Sequence, residues 1–147
     1  MANFLQVQKT VSQIKPARVK SEFFGFIRRI ERELVAYNQA TIFENSQDVN
    51  GRSIGFYSKA TELITNGSKS QGQPFDLMET GDFLESIFAK VTSNAIQFGA
   101  TDPKLKSILN HLLTNDIFGL QDDDLNKVIE DRLLPFLLNY YQEKLAL

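Results

Sequence analysis

Apolar residues at helical spacing dominate the first third of the chain. Between about Ala17 and Thr41 they recur every three or four positions and so form one face of an α-helix, made of Val19, Phe23, Phe26, Ile27, Ile30, Leu34 and Tyr37. Pro16 suits the entrance of this helix, because its ring fixes φ and the first turn does not need its N–H. Residues 1–15 are expected to form an N-terminal arm or a short helix.

The middle of the chain predicts a small antiparallel sheet. Residues 83–90 and 95–101 fit a central β-hairpin with Thr92-Ser93-Asn94 as its turn, and residues 95–99 alternate between apolar and polar as a half-buried strand does. Residues 53–57 fit the start of a strand or of a helix that continues to residue 64, and periodicity does not separate the two. Residues 66–74 hold two Gly and a Pro and are expected to form an exposed, projecting loop.

The last third of the chain predicts two further helices. Asp102 and Pro103 suit the N-cap and first position of a short amphipathic helix. The final helix should begin near residues 122–124, whose carboxylates favour the positive end of the helix dipole, and Pro135 should bend it. The whole pattern predicts an α+β fold in one domain, residues 1–147, with a long N-terminal helix, a small antiparallel sheet with a central hairpin, and a C-terminal helix.

Composition narrows the class of protein. With 147 residues, the chain has the size of one domain and should bury roughly 70% of its unfolded surface. It contains no Cys, which excludes disulfides, thiol catalysis and cysteine zinc sites and fits a reducing cytoplasm. No apolar run approaches the roughly 20 residues of a membrane helix, and the N-terminus lacks a signal-peptide pattern.

Charge is unevenly distributed although the net charge is only −2. In residues 1–37, seven Lys and Arg outnumber three Glu, a net +4, whereas residues 116–131 carry six acids and one Lys, a net −5. Ordinary solvated faces are the favoured explanation of both regions. The basic face of the first long helix is interleaved with Glu31 and Glu33, which favours a solvated or protein-binding face over a nucleic-acid interface.

No catalytic, cofactor or metal residues are predicted, and the chain is not expected to be an enzyme. His111 is the only histidine and lies among leucines without a partner motif, which favours a structural role. The chain has neither a nucleophile elbow nor a glycine-rich phosphate loop. Three consecutive Asp at 122–124 do not match the alternating ligands of a calcium loop and are better explained as a helix start.

Two segments resemble the virion-morphogenesis, or tail-completion, proteins of tailed bacteriophages. That family places a long helix before a motif with Thr-Gly at its centre, which leads into a hairpin. Here the comparable places are filled by Pro74, Leu77, Thr80, Gly81, Phe83, Ser86 and Ile87. Further on, Phe118-Gly119-Leu120 precedes the three Asp and the last helix, as a Phe-x-Gly-Leu segment does in many members. The Pro-Ala-Arg-Pro lead that those members carry is absent.

The resemblance implies a structural virion protein at the head–tail junction, a neck or tail-completion ring assembled in the host cytoplasm. Its partners would be further copies of itself and a portal, connector or tail-tube protein, with non-specific contact to passing dsDNA left open, and with no cofactor or membrane. The candidate assembly-interface residues are Arg28, Arg29, Arg32, Lys69, Asp122, Asp123 and Asp124. The alternatives are a cytoplasmic protein-binding adaptor or regulator without catalytic activity, and a small hydrolase with a deep polar pocket at His111.

Overall fold

Helices from both ends of the chain pack around a short β-hairpin in a mixed α+β fold. The computed structural model describes residues 3–78 and 80–145, so Met1, Ala2, Glu79, Ala146 and Leu147 lie outside the described residues. The elements in chain order are α1 (Phe4–Gln13), α2 (Pro16–Arg29), α3 (Glu31–Gln39) with a π-helical turn (Ala40–Glu44), α4 (Lys59–Ile64), α5 (Asp82–Ser86), β1 (Ile87–Val91), β2 (Ile96–Ala100), α6 (Leu105–His111), α7 (Asp122–Val128) with a π-helical turn (Ile129–Leu133), and α8 (Leu134–Leu145).

The N-terminal helices follow the predicted pattern closely. The Asn3 side chain accepts the Gln6 N–H at 2.9 Å and the Gln6 side chain accepts the Asn3 N–H at 3.1 Å, a capping box that starts α1. The predicted long helix is present but divided, because the backbone leaves helical geometry at Ile30 (φ −105°, ψ 15°) between α2 and α3. Ile30 is nevertheless buried, so the apolar face continues across the break.

The hairpin is shorter than predicted. Strands β1 and β2 pair antiparallel, with Ile87 opposite Ala100 and Val91 opposite Ile96. The prediction that the first strand begins at Phe83 is wrong, because residues 82–86 form α5. Phe83 and Ile87 are four positions apart and both buried in one cluster, a spacing that suits one face of a helical turn that leads into the strand.

Two hydrophobic clusters form the core, and β1 contributes to both. One joins α2 and α3 to the hairpin and α7 through Ile27, Ile30, Leu34, Ala89, Val91 and Val128. The other gathers Ile42, Ile54, Phe83, Ile87 and Ile117. Residues 87, 89 and 91 alternate with more exposed neighbours, so one face of β1 seals both clusters.

Residues 53–64 are neither one strand nor one helix. Ser53 and Phe56 each make an isolated antiparallel bridge, to Gln47 and to Pro74. Helix α4 begins only after Ser58, whose hydroxyl accepts the Thr61 N–H at 3.2 Å. Each of the two alternatives for this segment therefore describes only part of it.

The C-terminal helices differ from the prediction at positions where a helix begins or is interrupted. Helix α6 begins at Leu105. A turn precedes it, in which Asp102 Oδ1 accepts the Lys104 N–H at 2.7 Å. Helix α7 starts at Asp122 as predicted. Pro135 follows a π-helical turn, and this wider turn fits a residue that lacks an N–H and crowds the carbonyl four positions earlier. Among the described residues, no helix is long and apolar enough to cross a membrane.

Candidate functional site

The Thr80-Gly81 segment lies beside a half-open cavity of about 370 Å³. Gly81 has φ 86° and directly precedes α5, a left-handed conformation that glycine adopts without strain. The Thr80 hydroxyl accepts the Asp82 N–H at 3.3 Å and so assists the helix start. The lining combines apolar, hydroxyl and charged side chains: Ile64, Leu77, Met78, Phe83 and Ile108; Tyr57, Thr61, Thr65 and Thr80; and Lys69, Asp82, Asp102 and Lys104.

Two polar side chains that line this cavity, Tyr57 and Lys69, both bind Asp76. The Lys69 ammonium lies 2.6 and 2.7 Å from the two oxygens of Asp76. The Tyr57 hydroxyl donates to Asp76 Oδ1 at 2.7 Å and accepts the N–H groups of Asp76 and Leu77 at 3.2 and 3.3 Å. We call Tyr57, Lys69 and Asp76 the loop clamp, because they tie residues 66–78 to the segment before α4.

Electrostatics favour the protonation states that hold the loop clamp together. Burial alone raises the pKa of Asp76, but the hydrogen bonds from Lys69 and the Met78 N–H outweigh it and leave this pKa below its usual value. Burial lowers the pKa of Lys69, yet Asp76 raises it above its usual value. Burial and the bond to Asp76 both raise the pKa of Tyr57. Near neutral pH the clamp is a satisfied ion pair with a neutral phenol, and neither charged group is left as a free acid or base.

The loop at residues 66–74 is exposed along most of its length, as predicted. Lys69 is an exception, because its side chain is only 17% exposed and is held in the loop clamp. The loop is also bonded by its backbone, since the Tyr57 N–H donates to the Gln73 carbonyl at 2.9 Å and the Gly72 N–H donates to the Tyr57 carbonyl at 3.0 Å. Lys69 is thus occupied within its own chain.

A second polar cluster, centred on Asp48, was missed by sequence reasoning. This carboxylate is fully buried and accepts the N–H groups of Asn50 and Arg52 at 2.9 and 2.8 Å. It also accepts the Arg52 Nε–H and the Thr114 hydroxyl, each at 3.0 Å. The Asn50-Gly51 turn signal two residues later could have indicated a turn-forming Asp, but the partner at Thr114 is too distant in sequence to be inferred.

The predicted basic and acidic groups are each brought together. Arg28, Arg29 and Arg32 are exposed at the junction of α2 and α3. Asp122, Asp123 and Asp124 lie in the first turn of α7, although no side chain caps this helix and the N-cap residue is Gln121. Among the ion pairs of the described residues, none joins the two groups.

Two of the three glutamates on α2 and α3 bind other parts of the protein. Glu31 Oε1 accepts the Val91 N–H at 3.2 Å and so binds the hairpin. Glu33 Oε2 lies 3.1 Å from Arg132 Nε, an ion pair with the C-terminal region. Because both carboxylates bind other groups of this chain, they neutralise less of the positive charge of the exposed arginines than their sequence positions indicate.

The single histidine lies apart from these clusters. His111 is exposed in the last turn of α6, and its Nδ1 lies 2.7 Å from the Ser107 carbonyl oxygen. Its side chain is not packed among the neighbouring leucines, and it does not line the cavity beside Thr80. Within residues 3–78 and 80–145, no group of three or more His, Asp or Glu side chains is placed to hold a metal ion.

Comparison with the models of known protein families, with curated proteins and with solved structures found no match to this chain.

Proposed function

We propose that this chain is a non-enzymatic structural protein of a tailed-phage virion, located at the head–tail junction, where copies assemble into a neck or tail-completion ring. The observation that carries the proposal is the order of its elements. A long helix precedes the Thr80-Gly81 turn, the turn leads through α5 into the hairpin, and Phe118-Gly119-Leu120 precedes the acidic start of α7. This is the order on which the family resemblance rests.

The chemistry of the candidate site supports an assembly role. Lys69 and Asp76 neutralise each other, and the buried Asp48 is satisfied by four donors. Both clusters hold loops in place. Phe83 and Ile87 of the resemblance motif are core residues, and Gly81 supplies a turn, so these motif residues also serve the fold.

The proposed mechanism is head-to-tail docking of identical subunits, which closes into a ring when the rotation between neighbours permits it. The exposed Arg28, Arg29 and Arg32 of one copy would face Asp122–Asp124 of the next. Exposed ion pairs are each worth only about 0–1 kcal/mol and are screened by salt, so these charges would orient subunits more than hold them.

In this proposal the protein is assembled in the bacterial cytoplasm and resides in the virion. Its partners are further copies and the adjoining portal, connector or tail-tube protein, without a cofactor. The exposed arginine face would permit non-specific contact with dsDNA that passes through the ring.

Size-exclusion chromatography with light scattering, on the chain alone and mixed with a portal or tail-tube protein, tests this proposal. A multimer, or a complex with either partner, is expected. A monomer of 16.7 kDa that binds neither protein contradicts it.

The second candidate is a cytoplasmic adaptor or regulator, favoured by the cavity beside Thr80. Exposed Ile64 and Met78 lie at this cavity and would accept an apolar side chain of a partner. An adaptor of this kind would bind one partner as a monomer and build no particle, a result that the same light-scattering measurement recognises.

A further inference from the structure

The C-terminal helix has two apolar faces. One faces the protein body, where Phe136 stacks on Phe26 with ring centroids 4.4 Å apart and Tyr140 is buried. The other lies about two-fifths of a turn around the helix and carries Leu134, Leu138, Tyr141 and Leu145, spaced by four, three and four positions. We call these four residues the outer seam. Leu134, Leu138 and Tyr141 of this seam remain 47%, 64% and 39% exposed.

Helix α1 carries a matching stripe and covers the outer seam only in part. Phe4, Val7, Val11 and Ile14 are spaced by three, four and three positions, and no residue of α1 is buried. Val11 and Ile14 share with Tyr141 and Leu145 the lining of an open groove of about 750 Å³. The C-terminal half of the seam thus faces α1, whereas Leu138 and the most exposed residue of the α1 stripe, Phe4, remain uncovered.

We propose that a second copy of this chain covers this surface, with the Phe4 end of its α1 packed on Leu134 and Leu138 of the first copy. Both stripes have the alternating three-and-four spacing with which helices interdigitate side chains as knobs into holes. A two-fold contact would use each stripe twice, since Phe4 of either copy would meet Leu138 of the other.

The exposed apolar area is close to the apolar area that a stable self-contact buries. A fully exposed large apolar side chain presents roughly 100–200 Å². At the observed exposures, Phe4, Val11 and the three exposed seam residues together present on the order of 400 Å². Each partner of a stable complex buries about 800 Å², of which somewhat more than half is apolar. This surface therefore supplies most of the apolar share.

Charge favours an apolar protein partner over a polyanion or an anionic lipid surface. Lys9 is the only charged residue of α1, and Glu143 and Lys144 are oppositely charged neighbours on α8. A contact with so little net charge should depend only weakly on salt, unlike the arginine–aspartate contact proposed above.

Sedimentation equilibrium at low and high salt tests the seam. The wild-type chain should form a dimer or larger species at both salt concentrations, and Phe4→Gln or Leu138→Gln should each weaken association at least tenfold. Leu63→Gln is the matched control, because Leu63 is 68% exposed on α4, away from the seam, and should leave association unchanged. A wild-type chain that stays monomeric, or seam variants that associate as the control does, would overturn the inference.

Disulfide crosslinking locates the contact, since the chain has no native Cys. Phe4→Cys protein mixed with Leu138→Cys protein should form a mixed disulfide under mild oxidation. A mixture of Gln13→Cys and Glu143→Cys, both exposed positions on the same two helices, should crosslink far less. Equal yields from the two mixtures contradict the proposed register.

The inference rests on the proposed self-assembly, but its failure can be distinguished from that of the virion proposal. A chain that associates through the seam and binds neither portal nor tail-tube protein keeps the inference and contradicts the virion role. If the chain binds a tail-tube protein but Phe4→Gln and Leu138→Gln do not weaken its self-association, the seam contact is contradicted and the virion role is not.

Discussion

At the scale of single residues, the buried Asp48 carboxylate is held by four hydrogen-bond donors. Burial would raise its pKa, but the N–H groups of Arg52 and Asn50, with the Thr114 hydroxyl and the Arg52 side chain, hold this pKa below its usual value. A buried charge is tolerated only when its hydrogen-bonding capacity is filled, and four donors fill it here. Asp48 therefore fixes the 48–52 turn against the segment before Ile117.

Asp48→Asn should lower the free energy of unfolding by about 2–4 kcal/mol, because an amide N–H₂ would face the Arg52 and Thr114 donors. Asp116→Asn is the control. Asp116 also pairs with Arg52, at 3.2 Å, but its side chain is 66% exposed, so its effect should stay within about 0.5 kcal/mol. Urea denaturation measures both, and equal losses would contradict this role for Asp48.

The same carboxylate makes stability depend on acid. Its pKa is lower in the folded than in the unfolded chain, so its contribution is complete above the unfolded pKa of about 3.9. That contribution is lost as pH falls through the lower, folded value. Unfolding free energies measured from pH 6 downward should therefore fall less steeply in Asp48→Asn than in the wild type. Parallel pH profiles would show that the Asp48 pKa is not lowered by folding.

Tyr57→Phe should destabilise the protein by about 1–2 kcal/mol, because it removes the hydroxyl that bonds Asp76 and two backbone N–H groups. Tyr37→Phe is the matched control, since Tyr37 is also partly buried and its hydroxyl makes no hydrogen bond within the described residues. Thermal unfolding compares the two variants. If they shift the midpoint equally, the loop clamp does not stabilise the fold.

The roles of some of these residues could be predicted from the sequence, and those of others could not. The turn at Gly81 can be read from nearby residues, because Gly before a new element is a local turn signal. The clamp between Tyr57 and Asp76 spans 19 positions and His111 turns to solvent, and neither is fixed by nearby sequence. Long-range polar contacts depend on how elements pack, which periodicity does not specify.

At the scale of elements, periodicity identified the helices better than the positions where they begin, end or are interrupted. The apolar faces of α2 and α3 were predicted correctly, since each has a sustained repeat of three and four. Residues 83–86 were assigned to a strand because the segment is short and mixes both periods. The structure resolves this by burying Phe83 in α5 and Ile87 at the first position of β1, both in the same hydrophobic cluster.

The same Gly→Ala change should have opposite effects in two elements. Gly25 lies inside α2 with open space where an added methyl group would sit, so Gly25→Ala should stabilise the protein by about 0.5–1 kcal/mol. Gly81 also has open space but φ 86°, so Gly81→Ala should destabilise it by about 1–2 kcal/mol. Urea denaturation gives both values, and changes of the same sign would contradict the backbone assignment at one site.

At the scale of the whole molecule, the two interaction surfaces differ in how visible they are in the sequence. The charged groups at 28–32 and 122–124 follow from counting charges. The outer seam could not be predicted in this way, because the sequence does not show whether an apolar residue on α8 faces the core or the solvent. Only the packing of Phe136 and Tyr140 inward shows that Leu134 and Leu138 are left outside.

Charge reversal of Asp122, Asp123 and Asp124 to Lys should weaken self-assembly several-fold at low salt, because it would set like charges against Arg28, Arg29 and Arg32 of the next copy. The difference from wild type should shrink at high salt, where the Debye length is short. Light scattering across a salt series measures it. Assembly that is unchanged at low salt contradicts the electrostatic contact and leaves the apolar seam untouched.

Self-assembly is the central claim, and the molar mass of the purified chain as a function of its concentration tests it most directly. Sedimentation equilibrium should give a mass that rises with concentration from 16.7 kDa toward a multiple of that value. The same mass should be reached at low and high salt if the outer seam is the main contact. A mass that stays at 16.7 kDa at every concentration and salt would contradict the claim.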